Sequence, residues 1–156
     1  PGPVHALAAA AIGEELGPPF KRGRGGHGGW VILFGPELHL GNDVVVPDLA
    51  GWRREHVPVL PAAAFLTQRP NWVCEVISPS TGNLDRAHKM RIYGREGVDH
   101  LWLIDPTPRT LEVYRLEGGR WVVVANHGGH DVVHAEPFAA IALMLERWWL
   151  PAPDRT

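Results

Sequence analysis

Two acidic residues stand in or beside apolar runs that read as buried strands. The first run, residues 44–46, leads through Pro47 to Asp48, and the second, residues 72–77, contains Glu75. A buried, unpaired carboxylate is costly, so an acid in such a position needs a partner or a ligand. Two carboxylates on neighbouring strands are suited to hold a hard divalent cation, which in turn activates a water molecule.

A predicted helix after the second run carries further polar groups. Asp85, Lys89 and Tyr93 are spaced four residues apart, so they lie close to one helix face. Lys89 could orient or deprotonate a water, or neutralise a phosphate, and the backbone carbonyl of Val76 could add a third metal ligand. With the two acids as the other ligands, the pattern predicts a Mg²⁺ (or Mn²⁺) site that hydrolyses phosphodiester bonds.

Each of these residues also has a plainer structural interpretation. Asp48 could be a turn residue, Glu75 a buried partner of an arginine, and Lys89 a solvated helix position. Asp85 could simply favour the positive end of the helix dipole. These alternatives stay open beside the metal site.

Length and composition indicate an ordinary globular protein. The 156 residues fit one domain, and 45% of them are hydrophobic and 21% charged. A net charge of −2 gives no bulk argument for nucleic acid, although a local basic face is enough to bind it. The single cysteine, Cys74, excludes a disulfide within the chain and favours a reducing, cytoplasmic compartment. No apolar stretch approaches the roughly 20 residues of a membrane span.

The first half of the chain reads as a helix followed by a meander. Residues 4–16 predict the helix, and residues 30–34, 37–40 and 44–46 predict short antiparallel strands, the last of which carries Asp48 at its end. The proline-rich stretch that follows, residues 51–70, is predicted to be irregular, with one helical turn near residues 62–65.

The second half predicts a crossover and a hairpin. Residues 72–77, 84–96 and 100–105 read as strand, helix and strand, and residues 111–116 and 121–125 flank a glycine turn. The fold class is therefore α/β (α+β), a mixed sheet flanked by helices with a C-terminal β-hairpin.

The end of the chain offers weaker signals. Residues 139–150 predict a closing helix or an irregular packing segment, and Trp148-Trp149 could form a dimer contact. His127, His130 and His134 are spaced like zinc ligands, but no helix or cysteine places them on one face, which makes the zinc signal weak.

Four runs of sequence, at residues 46–55, 72–81, 84–98 and 100–106, resemble the Uma2 family of candidate restriction endonucleases. These bacterial proteins belong to the PD-(D/E)xK nuclease superfamily. The resemblance extends from about His5 to Leu116, and the Ser-Pro-Ser-Thr run after Glu75 makes it specific. It implies a restriction-endonuclease-like fold with a magnesium-dependent nuclease site.

The resemblance also implies roles for particular residues. Asp48 and Glu75 match the two metal-binding acids of the family, and His5 matches a histidine common at the start of its first helix. The superfamily's lysine should stand two residues after the glutamate, where this chain has Ile77. In this family Lys89, on the following helix, takes its place. Family members usually begin with a short strand that carries a glutamate, so residues before position 1 are expected to be missing.

The expected partner is DNA, and a two-fold symmetric duplex is best matched by a homodimer. Arginines are expected near the rim of the site, where they would contact DNA: Arg53, Arg54, Arg86 and Arg91. Two other functions remain open. The chain could be a nucleic-acid-binding accessory domain that keeps the fold without efficient cleavage, or a metal hydrolase of small phosphoesters.

Overall fold

The computed structural model of the protein describes residues 2–22, 28–57, 59–78 and 83–151. In chain order the elements are α1 (Pro3–Leu16), a π-helical turn (Gly17–Lys21), β1 (Trp30–Phe34), β2 (Leu38–Leu40), β3 (Asp43–Val45), β4 (Leu49–Arg53), β5 (Trp72–Val76), α2 (Asn83–Arg95), β6 (His100–Asp105), β7 (Thr110–Glu117), β8 (Arg120–Gly128), β9 (Val132–Val133), β10 (Leu143–Met144) and a 3₁₀ turn (Leu145–Trp148).

A six-stranded mixed sheet, in the order β1-β4-β5-β6-β7-β8, forms the centre of the fold. Strands β5 and β6 run parallel and are joined through α2, which confirms the predicted crossover. The other pairs of this sheet are antiparallel. Strands β7 and β8 form the predicted C-terminal hairpin, whose turn uses Gly118 and Gly119 at positive φ.

The sheet is covered on both faces, and alternate side chains of β5 point into two different cores. Trp72, Cys74 and Val76 face a core that includes buried residues of α1 and the C-terminal segment. Val73 lies in a second core with buried residues of α2 and of the β2–β3 pair. Glu75 has the same parity as Val73, so it points to the α2 face. No helix among the described residues is long and apolar enough to cross a membrane.

Phe138 packs among buried tryptophans in the first core. The ring centroids of Trp72 and Trp102 lie 5.0 and 5.7 Å from that of Phe138, both nearly perpendicular to it. Trp148 stacks on Trp102, and both Trp148 and Trp149 are buried within the chain. The predicted dimer contact at Trp148-Trp149 is therefore wrong, because these side chains are used by the chain's own core.

Three predicted segments differ from the structure. The stretch predicted to be irregular begins with a strand, β4, and Asp48 precedes β4 instead of ending the earlier meander. Residues 62–65 form bends instead of a helical turn, next to a parallel bridge between Leu38 and Leu66. Strand β8 extends to Gly128, three residues beyond the predicted strand at residues 121–125. Residues 23–27, between the π-helical turn and β1, lie outside the described residues.

Gly51 of β4 permits close approach of two aromatic rings. A Cβ there would lie 3.1 Å from Cε3 of Trp72 and 3.2 Å from Cε3 of Trp30, and both rings are buried. We expect Gly51→Ala to lower the free energy of unfolding by about 1–3 kcal/mol. Gly17→Ala is the control, since a Cβ at Gly17 meets nothing within 4 Å. Urea unfolding measures the stability of both variants. A Gly51→Ala variant as stable as Gly17→Ala would contradict the close packing of the two rings against β4.

Candidate active site

Asp48 is held at the point where β4 begins. Its backbone carbonyl accepts a hydrogen bond from Gly35 N at 2.9 Å, which ties it to the end of β1. Its side chain reaches the other way, and Oδ2 accepts a bond from the backbone N–H of Val76 at 2.6 Å. Because β4 pairs with β5 as far as Leu49 and Cys74, this carboxylate takes over where the backbone pairing of the two strands ends.

His5 contacts the other oxygen of the same carboxylate. Its Nε2 lies 3.0 Å from Asp48 Oδ1, and the two side chains are 15% and 22% exposed. His5 stands in the first turns of α1, whose buried face includes Ala8, Ile12 and Leu16. The packing of that face brings the start of the helix to the beginning of β4, where Asp48 lies.

Glu75 lies on β5 directly before Val76, the residue whose backbone N–H bonds to Asp48. Its side chain is 13% exposed and turns towards α2. Tyr93 Oη donates to Oε2 at 2.7 Å, and Lys89 Nζ lies 3.4 Å from Oε1. The predicted helix face therefore meets Glu75, and the partners of this buried glutamate are a lysine and a tyrosine, not an arginine. Asp85, one turn earlier, is exposed and lines the same cleft.

These groups share a cleft of about 290 Å³. Its polar wall contains the residues described above together with Ser78 and Arg86, and its apolar wall is formed by Val46, Val76, Ile77, Met90 and Leu103. Ile77 thus occupies the wall where the superfamily's lysine would stand, and Lys89 reaches Glu75 from α2 instead. Of the Ser-Pro-Ser-Thr run, residues 79–81 lie outside the described residues.

Burial dominates the electrostatics of the site. It raises the pKa of Glu75 to about 7, with a smaller contribution from the negative charge of Asp48. Lys89 and the Tyr93 hydroxyl act in the opposite direction and lower it. Burial also raises the pKa of Tyr93, which therefore stays a neutral hydrogen-bond donor, and that of Cys74, which is an unreactive core thiol.

The donor set fits a hard cation better than zinc. Within the described part of the chain, no three His, Cys, Asp or Glu side chains come together as a metal-binding group. A cation here would have two protein carboxylates, from Asp48 and Glu75, and water as most of its shell, as Mg²⁺ prefers. Two of the three histidines whose spacing gave the weak zinc signal contact other groups: His130 contacts Glu146, and His134 contacts the carbonyl of Ala139.

The four predicted rim arginines are not grouped. Arg86 lines the cleft, and Arg91 lines a separate groove beside Trp121. Arg53 and Arg54 lie at the far end of β4 from Asp48, roughly 16 Å away for five residues of strand. There Arg53 lies over the Trp30 ring and Arg54 contacts the Trp30 carbonyl. The extended strand carries Arg53 and Arg54 away from Asp48, so of the four arginines the structure places Arg86 in the lining of the cleft.

A mixed sheet with an acid at the start of one strand, a second acid within its neighbour and helices on both faces defines the restriction-endonuclease-like class of folds. A solved structure supports this class: a putative nuclease belonging to DUF820 from Anabaena variabilis ATCC 29413. The two share 19% sequence identity with a TM-score of 0.77, over 95% of this chain and 81% of that one.

The family is shown by the sequence itself. Residues 1–146 match the model of the Uma2 family, described as "putative restriction endonuclease", and the chain belongs to that family. No curated protein matches the chain.

Proposed function

We propose that the chain is a metal-dependent endonuclease that hydrolyses phosphodiester bonds of DNA with Mg²⁺ or Mn²⁺ held by Asp48 and Glu75. The observation that carries the proposal is the joint placement of the two acids and Lys89 on one cleft. Asp48 bonds to Val76, the residue after Glu75, while Lys89 contacts Glu75 itself. Family membership supports a nuclease as the class of enzyme.

A cation bound between the two acids would supply Lewis acidity and a water of lowered pKa. The residues of the chain would hold the cation and position the phosphate and the attacking water. The Val76 N–H and His5 orient the Asp48 carboxylate, and the Val76 carbonyl is the third candidate ligand. Lys89, 24% exposed, can donate to a phosphate oxygen or orient the attacking water. The apolar wall limits access of bulk water to that side of the cleft.

Arg86 extends the site towards a nucleic-acid strand. Its guanidinium contacts Asn83 at the start of α2, and Arg86 lines the same cleft as Lys89. An arginine beside the reacting phosphate can pair with phosphate oxygens in a bidentate manner. Arg53, Arg54 and Arg91 lie outside the cleft and would contact DNA only at a distance from the scissile bond.

The test combines a calorimetric Mg²⁺ titration with a cleavage assay on plasmid DNA. We expect saturable Mg²⁺ binding and plasmid cleavage that stops when EDTA is added. Binding of DNA without any cleavage would favour the accessory-domain alternative, for which Ile77 at the superfamily's lysine position is the supporting observation. Cleavage of bis(p-nitrophenyl) phosphate but not of plasmid would favour a hydrolase of small phosphoesters.

Lys89→Met should separate catalysis from metal binding. The variant loses the ammonium group but keeps the length of the side chain, so we expect the cleavage rate to fall about 10²-fold. Saturable Mg²⁺ binding at pH 8 should persist, because both carboxylates remain. Arg147→Met, on the 3₁₀ turn away from the cleft, is the control and should cleave like the wild type. A Lys89→Met variant with full activity would remove the lysine from the mechanism.

The same proposal includes a homodimer acting in the cytoplasm. Each chain would contribute one copy of the candidate active site, and two copies related by a two-fold axis match the two strands of a symmetric DNA site. We expect a dimer in sedimentation velocity at micromolar concentration. A monomer that nevertheless cuts both strands of a plasmid would refute this part.

A further inference from the structure

The two contacts that α2 makes to Glu75 differ in kind. Tyr93 Oη donates to Oε2 at 2.7 Å, and the Tyr93 side chain is fully buried. Lys89 Nζ lies 3.4 Å from Oε1, at the long limit of a hydrogen bond, and its side chain is 24% exposed. A short bond from a packed ring persists, whereas a long contact from a flexible, hydrated ammonium is readily exchanged.

Packing fixes the position of the Tyr93 hydroxyl. The ring belongs to the core on the α2 face, together with Val73 of β5 and Leu103 of β6. Side chains in such close-packed cores have few alternative rotamers. The hydroxyl is therefore aimed at one point, and that point is occupied by the Oε2 of Glu75.

We propose that Tyr93 is a positioning residue that commits Oε2 of Glu75 to itself and thereby presents Oε1 to a cation shared with Asp48. The inference rests on the proposed metal-dependent function and assigns the oxygen that would face the cation. Lys89 would then be the group that gives up Oε1 to the cation, and its ammonium would be free to act on water or phosphate. Tyr93 itself would contact neither the water nor the phosphate.

The chain provides a matched control. It has two tyrosines, and the other, Tyr114, donates to Glu112 Oε2 at 2.6 Å. Neither Tyr114 nor Glu112 lines the cleft. Tyr93→Phe and Tyr114→Phe therefore remove the same chemical bond, a phenol to a glutamate, once inside the candidate site and once outside it.

The experiment measures the Mg²⁺ dissociation constant of both variants by calorimetry at pH 8, together with their melting temperatures without metal. We expect Tyr93→Phe to weaken Mg²⁺ binding by about 10-fold or more, as for other groups that orient metal ligands. Tyr114→Phe should stay within about twofold of the wild type, since its glutamate holds no metal. A Tyr93→Phe variant that loses only melting temperature and keeps its Mg²⁺ affinity overturns the proposal.

A second measurement uses the wild type, in case Tyr93→Phe does not fold. Tyrosine labelled with ¹³C at Cζ gives two resonances, which the spectrum of Tyr114→Phe assigns. Mg²⁺ should shift the Tyr93 resonance, and this shift should saturate at one equivalent of Mg²⁺. The Tyr114 resonance should not move. Saturable Mg²⁺ uptake without movement of Tyr93 overturns this inference alone and leaves the nuclease proposal standing. A wild type that takes up no Mg²⁺ refutes both.

Discussion

Glu75→Gln is expected to abolish Mg²⁺-stimulated cleavage of DNA, with a loss of about 10³-fold or more in rate. A bound cation contributes several kcal/mol of charge stabilisation in such reactions, and each 1.36 kcal/mol corresponds to about tenfold. Asp48→Asn should have a similar effect. Its amide oxygen can still accept the bond from Val76 N, so the junction between β4 and β5 should survive.

Thermal melting with and without Mg²⁺ distinguishes a metal ligand from a structural acid. Mg²⁺ at about 100 times its dissociation constant should stabilise the wild type by about 2.7 kcal/mol, and both variants should lose this gain. Without metal, Glu75→Gln should be as stable as the wild type or more so, because a buried charge has been removed. Loss of one partner of a buried structural ion pair would instead cost about 3–5 kcal/mol.

Glu112→Gln is the control for these measurements. Glu112 also accepts a tyrosine hydroxyl, but it lies on β7 outside the cleft, so cleavage and the Mg²⁺ effect should both persist. If Glu75→Gln unfolds the protein and Mg²⁺ never shifts the wild-type melt, Glu75 is structural and the nuclease proposal is wrong.

Mg²⁺ binding should weaken steeply as the pH falls below 7. The pKa of Glu75 in the metal-free protein is raised to about 7, mainly by burial, and a carboxylate must lose its proton to bind the cation. Below that pH, each further unit should weaken Mg²⁺ binding by about tenfold, with close to one proton released per cation. Calorimetry in buffers of different ionisation enthalpy counts this proton. Binding that is independent of pH between 5 and 8 would contradict a role for Glu75.

The raised pKa of Glu75 also determines how this residue contributes to the free energy of unfolding as the pH changes. The folded state holds the Glu75 proton more tightly than the unfolded chain, whose glutamate has a pKa near 4.5. Below about pH 4.5 both states are protonated, and the contribution is fully favourable. As the pH rises through about 7 it is lost, at a cost of roughly 3 kcal/mol. Glu75→Gln should remove this dependence from the pH profile of urea unfolding, and Glu112→Gln should leave it unchanged.

The sequence predicted the contacts of Glu75 with α2 better than the strand that follows Asp48. Glu75 was detectable because a charged residue inside an apolar strand is an exception to the pattern. The spacing of Lys89 and Tyr93 placed both on the helix face that meets it. Strand β4 was missed because Ala50 and Gly51 dilute its strand propensity and prolines surround it, although the apolar run that starts at Leu49 was a signal.

Tertiary geometry could not be inferred from nearness in sequence. Arg53 and Arg54 follow Asp48 closely along the chain, yet the extended backbone carries them to the opposite end of the sheet. The contact of His5 with Asp48 depends on how α1 crosses the sheet. The Uma2 resemblance indicated His5, whereas the helix predicted over residues 4–16 did not by itself place its start beside Asp48.

The hydrogen bond from Val76 N–H to the Asp48 side chain makes the candidate site dependent on the correct register of β4 and β5. It spans 28 residues of sequence and forms only when Leu49 lies opposite Cys74. A slip of β4 by a single residue would turn Asp48 to the other face of the sheet, away from Glu75. A misaligned chain could retain much of its apolar burial and still bring no acid pair together. On the proposed function, the native register of β4 and β5 is therefore a condition for catalysis, and nuclease activity is expected only after the sheet is correctly assembled.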